Sequence, residues 1–146
     1  MELSLLILTL LAGAGLPVQA SVNATLARHV GRADTAAFVN FAVGTVALVG
    51  WLAARNVAIP AAGTLVRAPL WAWTGGLLGA FYVSVITHVA PRLGVVVTLA
   101  LSMAGMMLAS LALDATGALG MAVRPLTGAR VLGGALLVVG VLLVRR

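Results

Sequence analysis

The sequence contains no cysteine and no lysine. Without cysteine there is no disulfide framework, no thiol nucleophile and no cysteine-held zinc or iron–sulfur site. Acids are almost as scarce: Glu2, Asp34 and Asp114 are the only three, and His29 and His88 are the only histidines. That inventory is too small for a clustered metal site or a serine–histidine–acid set. Nor does any glycine-rich Walker-type sequence occur. No enzymatic activity, metal or cofactor is therefore expected. Charged residues make up only 8% of the 146 residues and hydrophobic residues 62%, against roughly 25% charged in an ordinary soluble domain.

The apolar residues fall into five long runs, 3–27, 36–54, 70–90, 93–113 and 128–144, which use nearly the whole chain. A hydrocarbon layer about 30 Å thick takes roughly 20 apolar residues per crossing helix. A chain with five such runs has no length left for a soluble domain. Barrel strands would alternate apolar and polar residues over about ten positions. Runs such as VVVTLALSMAGMMLASLAL do not alternate. The expected fold is all-α, a single domain over 1–146 of five transmembrane helices. Arg28 and Arg32 follow the first run, Arg55 the second, Pro91-Arg92 part the third from the fourth, and Asp114 closes the fourth. The N-terminal stretch resembles a secretory signal, with Val18 and Ala20 acceptable to a peptidase. No basic residue precedes it, however, and Glu2 is its only charge, so it is assigned to the first transmembrane helix.

All nine basic residues are arginines, and the formal charge is +6. Because they flank the helices at headgroup level, they point to a lipid bilayer rather than to nucleic acid. Alternate faces of a five-span chain hold them almost evenly. Arg55, Arg67, Arg124 and Arg130 share the face of the N-terminus, and Arg28, Arg32, Arg92, Arg145 and Arg146 take the other. Orientation normally follows an excess of basic residues in short cytoplasmic loops. With no excess, insertion in both orientations is expected, and two copies then pair as an antiparallel homodimer. Such a pair reproduces the inverted repeats that many transporters carry in one chain. The other source of an inverted partner is a paralogue.

Small residues at spacing four let membrane helices approach closely. Gly75 and Gly79, Gly105 and Ala109, and Gly133 with Gly134 are the expected packing positions. Polar residues within the runs are costly in lipid and face a bundle interior or a wet cavity. Gln19 and Asn23 are four apart on the first helix and share a face, just after Pro17, which removes a helical hydrogen bond. Asn40 is the interior polar candidate of the second helix, and Tyr82 and Ser84 lie mid-run in the third. Ser110 and Asp114 are four apart at the end of the fourth, where Asp114 has Arg124 as an available partner. These amides and hydroxyls either tie helices together or line a solute path. Trp51, Trp71 and Trp73 stand at run ends, as interfacial anchors do. His88 is expected to be a hydrogen-bonded bystander near the interface.

Six segments in order, GLPVQASVNATL (Gly15 to Leu26), FVNFAVGT (Phe38 to Thr45), WAWTGGLLGAFYV (Trp71 to Val83), PRLG (Pro91 to Gly94), ASLALD (Ala109 to Asp114) and the closing glycine-rich helix, resemble the short five-helix YdcZ-like family of the drug/metabolite transporter superfamily. The likeness runs along almost the full length. Where this chain reads Gly105-Met106 the family often has Gly-Gln. The resemblance implies a multi-pass protein of the bacterial inner membrane, whose short members pair in opposite orientations.

The expected function is secondary transport of a small metabolite or drug-like solute, by alternating access between two oppositely oriented copies. Gln19, Asn23, Asn40, Tyr82, Ser84, Ser110 and Asp114 are the pathway candidates. The alternatives are a small dual-topology ion channel, suggested by the string GGLLGA, and a non-transporting membrane subunit.

Overall fold

The structure, a computed structural model, describes residues 2–144. Arg145 and Arg146, two of the arginines in the charge balance, lie outside the described residues. Six α-helices follow one another: α1 (Glu2–Val30), α2 (Ala33–Ala54), the short α3 (Ala62–Val66), α4 (Thr74–Leu93), α5 (Val95–Thr116) and α6 (Gly128–Val144). Single 3₁₀ turns occupy Leu70–Trp73 and Ala118–Gly120, and no strand occurs among the described residues. Four stretches, Leu3–Val30, Ala33–Ala54, Leu70–Leu93 and Val95–Thr116, are long and apolar enough to cross a membrane. Helix α6 is apolar but shorter, at 17 residues.

The chain divides into two compact units, Met1–Arg92 and Leu93–Arg146. In the first, α1 and α2 pack as a helical hairpin around Gly31, whose φ of +82° suits the one residue without a Cβ penalty there. Four alanines, Ala20 and Ala24 on α1 and Ala36 and Ala37 on α2, are buried. Their small side chains let two backbones approach closely where leucine would hold them apart. Helix α2 ends in a Schellman cap: the Asn56 N–H donates to the Ala53 carbonyl and the Val57 N–H to the Leu52 carbonyl. Asn56 takes the left-handed conformation, at φ +50°, that this cap needs. The Arg55 guanidinium lies 5.6 Å from the Trp51 ring centre, over its face.

In the second unit α5 packs against α6. A methyl group placed on Gly134 would stand 3.3 Å from Leu111 Cδ1, so this glycine sets how closely the two helices meet. Helix α5 stops at Gly117, which has φ +63° and whose N–H donates to the Leu113 carbonyl.

Several boundaries differ from the expected ones: α1 continues past Arg28 to Val30, α2 begins at Ala33 and α4 at Thr74, and two expected breakpoints fall inside helices. Helix α4 runs through Pro91 and Arg92 to Leu93, and the break falls at Gly94, at φ +82°. A proline withholds one donor from the last turn, but left-handed backbone is what redirects the chain. Helix α5 likewise passes Asp114 and ends two residues later. The GGLLGA string is helical: Gly75 to Ala80 lie within α4. There a methyl on Gly79 would meet Phe41 Cζ of α2 at 3.6 Å.

Most of the long apolar side chains point outward; Leu10, Phe38, Val46 and Leu77 are among the exposed. In water such a surface would aggregate. In a bilayer it is the face presented to lipid.

Candidate functional site

The polar residues of α1 and α2 converge. Asn40 Nδ2 donates to Asn23 Oδ1 at 2.7 Å. Asn23 is 4% exposed, set among the buried alanines of the hairpin. Helical geometry brings this about: Asn23 follows Ala20 by three residues and Asn40 follows Ala36 by four, so each asparagine continues its helix's alanine stripe. An amide buried in a dry seam loses its water and must find a partner, and each asparagine supplies the other's.

Next to this bond is a cleft of about 230 Å³, lined by Gln19, Asn40, Phe41, Gly44, Thr45, Leu48 and Val83. Phe41, Gly44, Thr45 and Leu48 recur at the three- and four-residue spacing of one helical face. Gly44 adds no side-chain bulk to that face. The Thr45 hydroxyl donates to the Phe41 carbonyl at 2.8 Å. The Gln19 side-chain amide makes no hydrogen bond with any described residue. Gln19 precedes Arg28 by nine residues, which at about 1.5 Å per residue puts it roughly 13 Å below the arginine level, near the middle of the hydrocarbon layer. This is the inner cleft.

A wider cleft of about 610 Å³ opens at the hairpin turn, lined by Gly31, Arg32, Ala33, Asp34, Phe81, Ser84, Val85, His88 and Val89. Arg32 and Asp34 pair across its rim at 3.4 Å, with about three quarters of each side chain exposed. This outer cleft carries charge, whereas the inner one has amides and a hydroxyl. The His88 imidazole forms no hydrogen bond among the described residues and is exposed at the outer cleft, which replaces the expectation of a hydrogen-bonded bystander.

The first unit thus brings Gln19, Asn23 and Asn40 together and sets Ser84 in the outer cleft. Tyr82 is half-buried on α4 and lines neither cleft. Ser110 and Asp114 belong to the second unit. Ser110 is exposed and its hydroxyl forms no hydrogen bond among the described residues. The Asp114 carboxylate pairs with Arg130 of α6, Nη1 to Oδ2 at 3.2 Å. Arg124 engages Asp114 only through backbone, its N–H donating to the Asp114 carbonyl at 2.7 Å. That N–H lies beyond Gly117, whose left-handed backbone folds the chain back on α5. The contact at Arg130 is an ion pair without a directed hydrogen bond, since Nη1 is buried with no acceptor in line.

Of the expected packing positions, Gly79 and Gly134 meet neighbours, while a methyl on Gly75, Gly105 or Gly133 would touch nothing within 4 Å. Ala109 is exposed. Sequence reasoning missed Phe41, Thr45 and Leu48 as lining residues. The signal available was Asn40 itself, since stepping along α2 at helical period from it reaches Gly44 and Leu48.

A family model described as "Putative inner membrane exporter, YdcZ" matches residues 4–143. No curated protein and no solved structure matches the chain. The match takes in every membrane-length helix, both clefts and the amide pair. The chain belongs to the YdcZ family of drug/metabolite transporters and is a multi-pass protein of the inner membrane.

Proposed function

We propose that the protein is a secondary transporter that moves a small solute by alternating access between two oppositely oriented copies of itself. One observation carries this: a mid-span cleft whose polar lining consists of amides and a hydroxyl, beside a hydrogen bond from Asn40 to the buried Asn23, in helices that are mostly apolar. Intramembrane polar groups of this kind mark solute pathways. Solute-sized pockets run from about 300 to 1,000 Å³. One cleft of about 230 Å³ falls short of that range, and two facing copies offer twice the volume.

Helix α6 serves as the fifth span in this scheme. Its 17 residues lie at the lower end of the crossing range, and local thinning of the bilayer accommodates a short helix. Five crossings put the chain's ends on opposite faces. Inversion then exchanges a face with four arginines for one with five, and membrane insertion scarcely distinguishes them. A paralogue of opposite orientation fills the partner's place equally well. Gly75, Gly105 and Gly133, open in one protomer, are available for close approach to that partner.

Reporter fusions to the C-terminus test the scheme, one enzyme active only in the periplasm and one fluorescent protein active only in the cytoplasm. Activity from both fusions is expected. Activity from one alone rules out the antiparallel homodimer and leaves the paralogue.

A further inference from the structure

All three acidic residues of the sequence fall near helix ends along the chain. Glu2 begins α1, Asp34 is the second residue of α2, and Asp114 lies two residues before α5 stops. The inner cleft is lined by no charged side chain. We infer that the solute held there is an uncharged molecule bearing both a hydrogen-bond donor and an acceptor, and that cations and anions are turned away. This rests on the inner cleft being the solute route.

The chemistry follows from what the lining offers. A carboxamide presents an acceptor and two donors. Asn40 commits one N–H to Asn23. Gln19 keeps its whole amide free of bonds to described residues, and Thr45 has turned its hydroxyl proton to the Phe41 carbonyl, leaving an oxygen able to accept. The rest of the lining, Phe41, Gly44, Leu48 and Val83, is apolar. Such a site pairs with an alcohol, an amide or a similar group attached to a compact apolar body.

An ion entering it would give up hydration and gain no countercharge, which is what makes lone charges unfavourable at membrane depth. Phe41, the single ring, has a face weaker than that of tryptophan for holding a cation. With no ionisable side chain in the lining, the inner cleft also has no group on which to exchange a proton for the solute. Transfer through it is therefore electroneutral. The outer cleft differs, since Arg32, Asp34 and His88 tolerate charged solutes there. Selection against charge thus falls between the two clefts. Asn40 lies eight residues beyond Arg32, roughly 12 Å deeper at about 1.5 Å per residue.

The absence of native cysteine permits a direct test on the full chain in lipid nanodiscs. Thr45→Cys probes the inner cleft and Ser84→Cys the outer one, with the half-buried Val83→Cys as a second inner position should the first not fold. Each variant is treated with three methanethiosulfonates of similar size: neutral hydroxyethyl, cationic trimethylammonium-ethyl and anionic sulfonatoethyl. The thiolate attacks the sulfenyl sulfur, a mixed disulfide forms and methanesulfinate departs. Each reagent's rate at the inner position is divided by its own rate at Ser84→Cys, which cancels intrinsic reactivity.

The neutral reagent is expected to label both clefts. Both ionic reagents are expected to fall at least about tenfold behind it at the inner position. A comparable normalised rate for either ion overturns the uncharged-solute inference while leaving the cleft as a wet route. No labelling of either inner position, with Ser84→Cys still reacting, removes the cleft as a route and the inference with it.

Discussion

Replacing Asn40 with alanine removes the donor that satisfies Asn23 Oδ1, on a side chain 4% exposed. Two effects then add. The hydrogen bond itself, between helices in a membrane, contributes about 0.6 kcal/mol on average and up to about 1.7. The stranded amide adds a desolvation cost of its own, so a total of about 1–3 kcal/mol is expected. Asn23→Ala frees the Asn40 amide instead, which is half-buried and lines the inner cleft, so its loss is expected to be the smaller of the two. Removing both leaves neither amide stranded, so the double variant loses less than the two single losses combined. The discrepancy is the coupling between the residues; it holds the bond once and both stranding costs, so it is expected to be at least as large as the Asn40→Ala loss, about 1–3 kcal/mol. Reversible unfolding in mixed micelles, titrated with a denaturing detergent and followed by circular dichroism, measures all four proteins of the cycle. Strictly additive losses would show that the 2.7 Å bond contributes nothing to the fold and would refute the account of the hairpin seam. Gln19→Leu provides the contrast. Its amide bonds to no described residue, so its unfolding free energy is expected to stay within about 0.5 kcal/mol of the parent. A tie between helices and a lining residue of the cleft are thereby told apart.

Other outcomes are equally specific. Gly117→Ala forces a Cβ into left-handed backbone and to within 2.5 Å of Val123 Cγ2. It should lower stability by at least about 1–2 kcal/mol, read as a fall in thermal midpoint in detergent, and an unchanged midpoint would mean the α5 cap is not formed as described. Asp114→Asn breaks an ion pair that is about one third exposed on both sides. A loss below about 1 kcal/mol that shrinks further at high salt is expected. A larger, salt-insensitive loss would give Asp114 a buried role.

Much of the architecture is legible in composition and periodicity alone. Lipid satisfies no backbone hydrogen bond, so a chain this apolar has to close its own, and helices are the form that long unalternating runs allow. The positions of the long helices and the polar trio Gln19, Asn23 and Asn40 follow from that constraint. The α2 cap has a signal in Asn56, since asparagine is among the few residues at ease at positive φ, but the expected closing residue is the charge at Arg55. Helix ends set by glycine are harder: Pro91 and Gly94 compete as the breakpoint, and only backbone angles decide for Gly94.

Tertiary structure decided the pairings. Asn23 and Asn40 are 17 residues apart, and each alone is equally a tie or a lining residue until the hairpin register sets them face to face. Asp114 had two arginines within reach along the chain, Arg124 and Arg130. The turn at Gly117 takes the first through its backbone, and the packing of α6 on α5 delivers the second's side chain. A sequence lists which groups must escape lipid. Which group each one meets depends on how two helices are rotated about their axes, a quantity set by the small residues they share and visible only once they are packed.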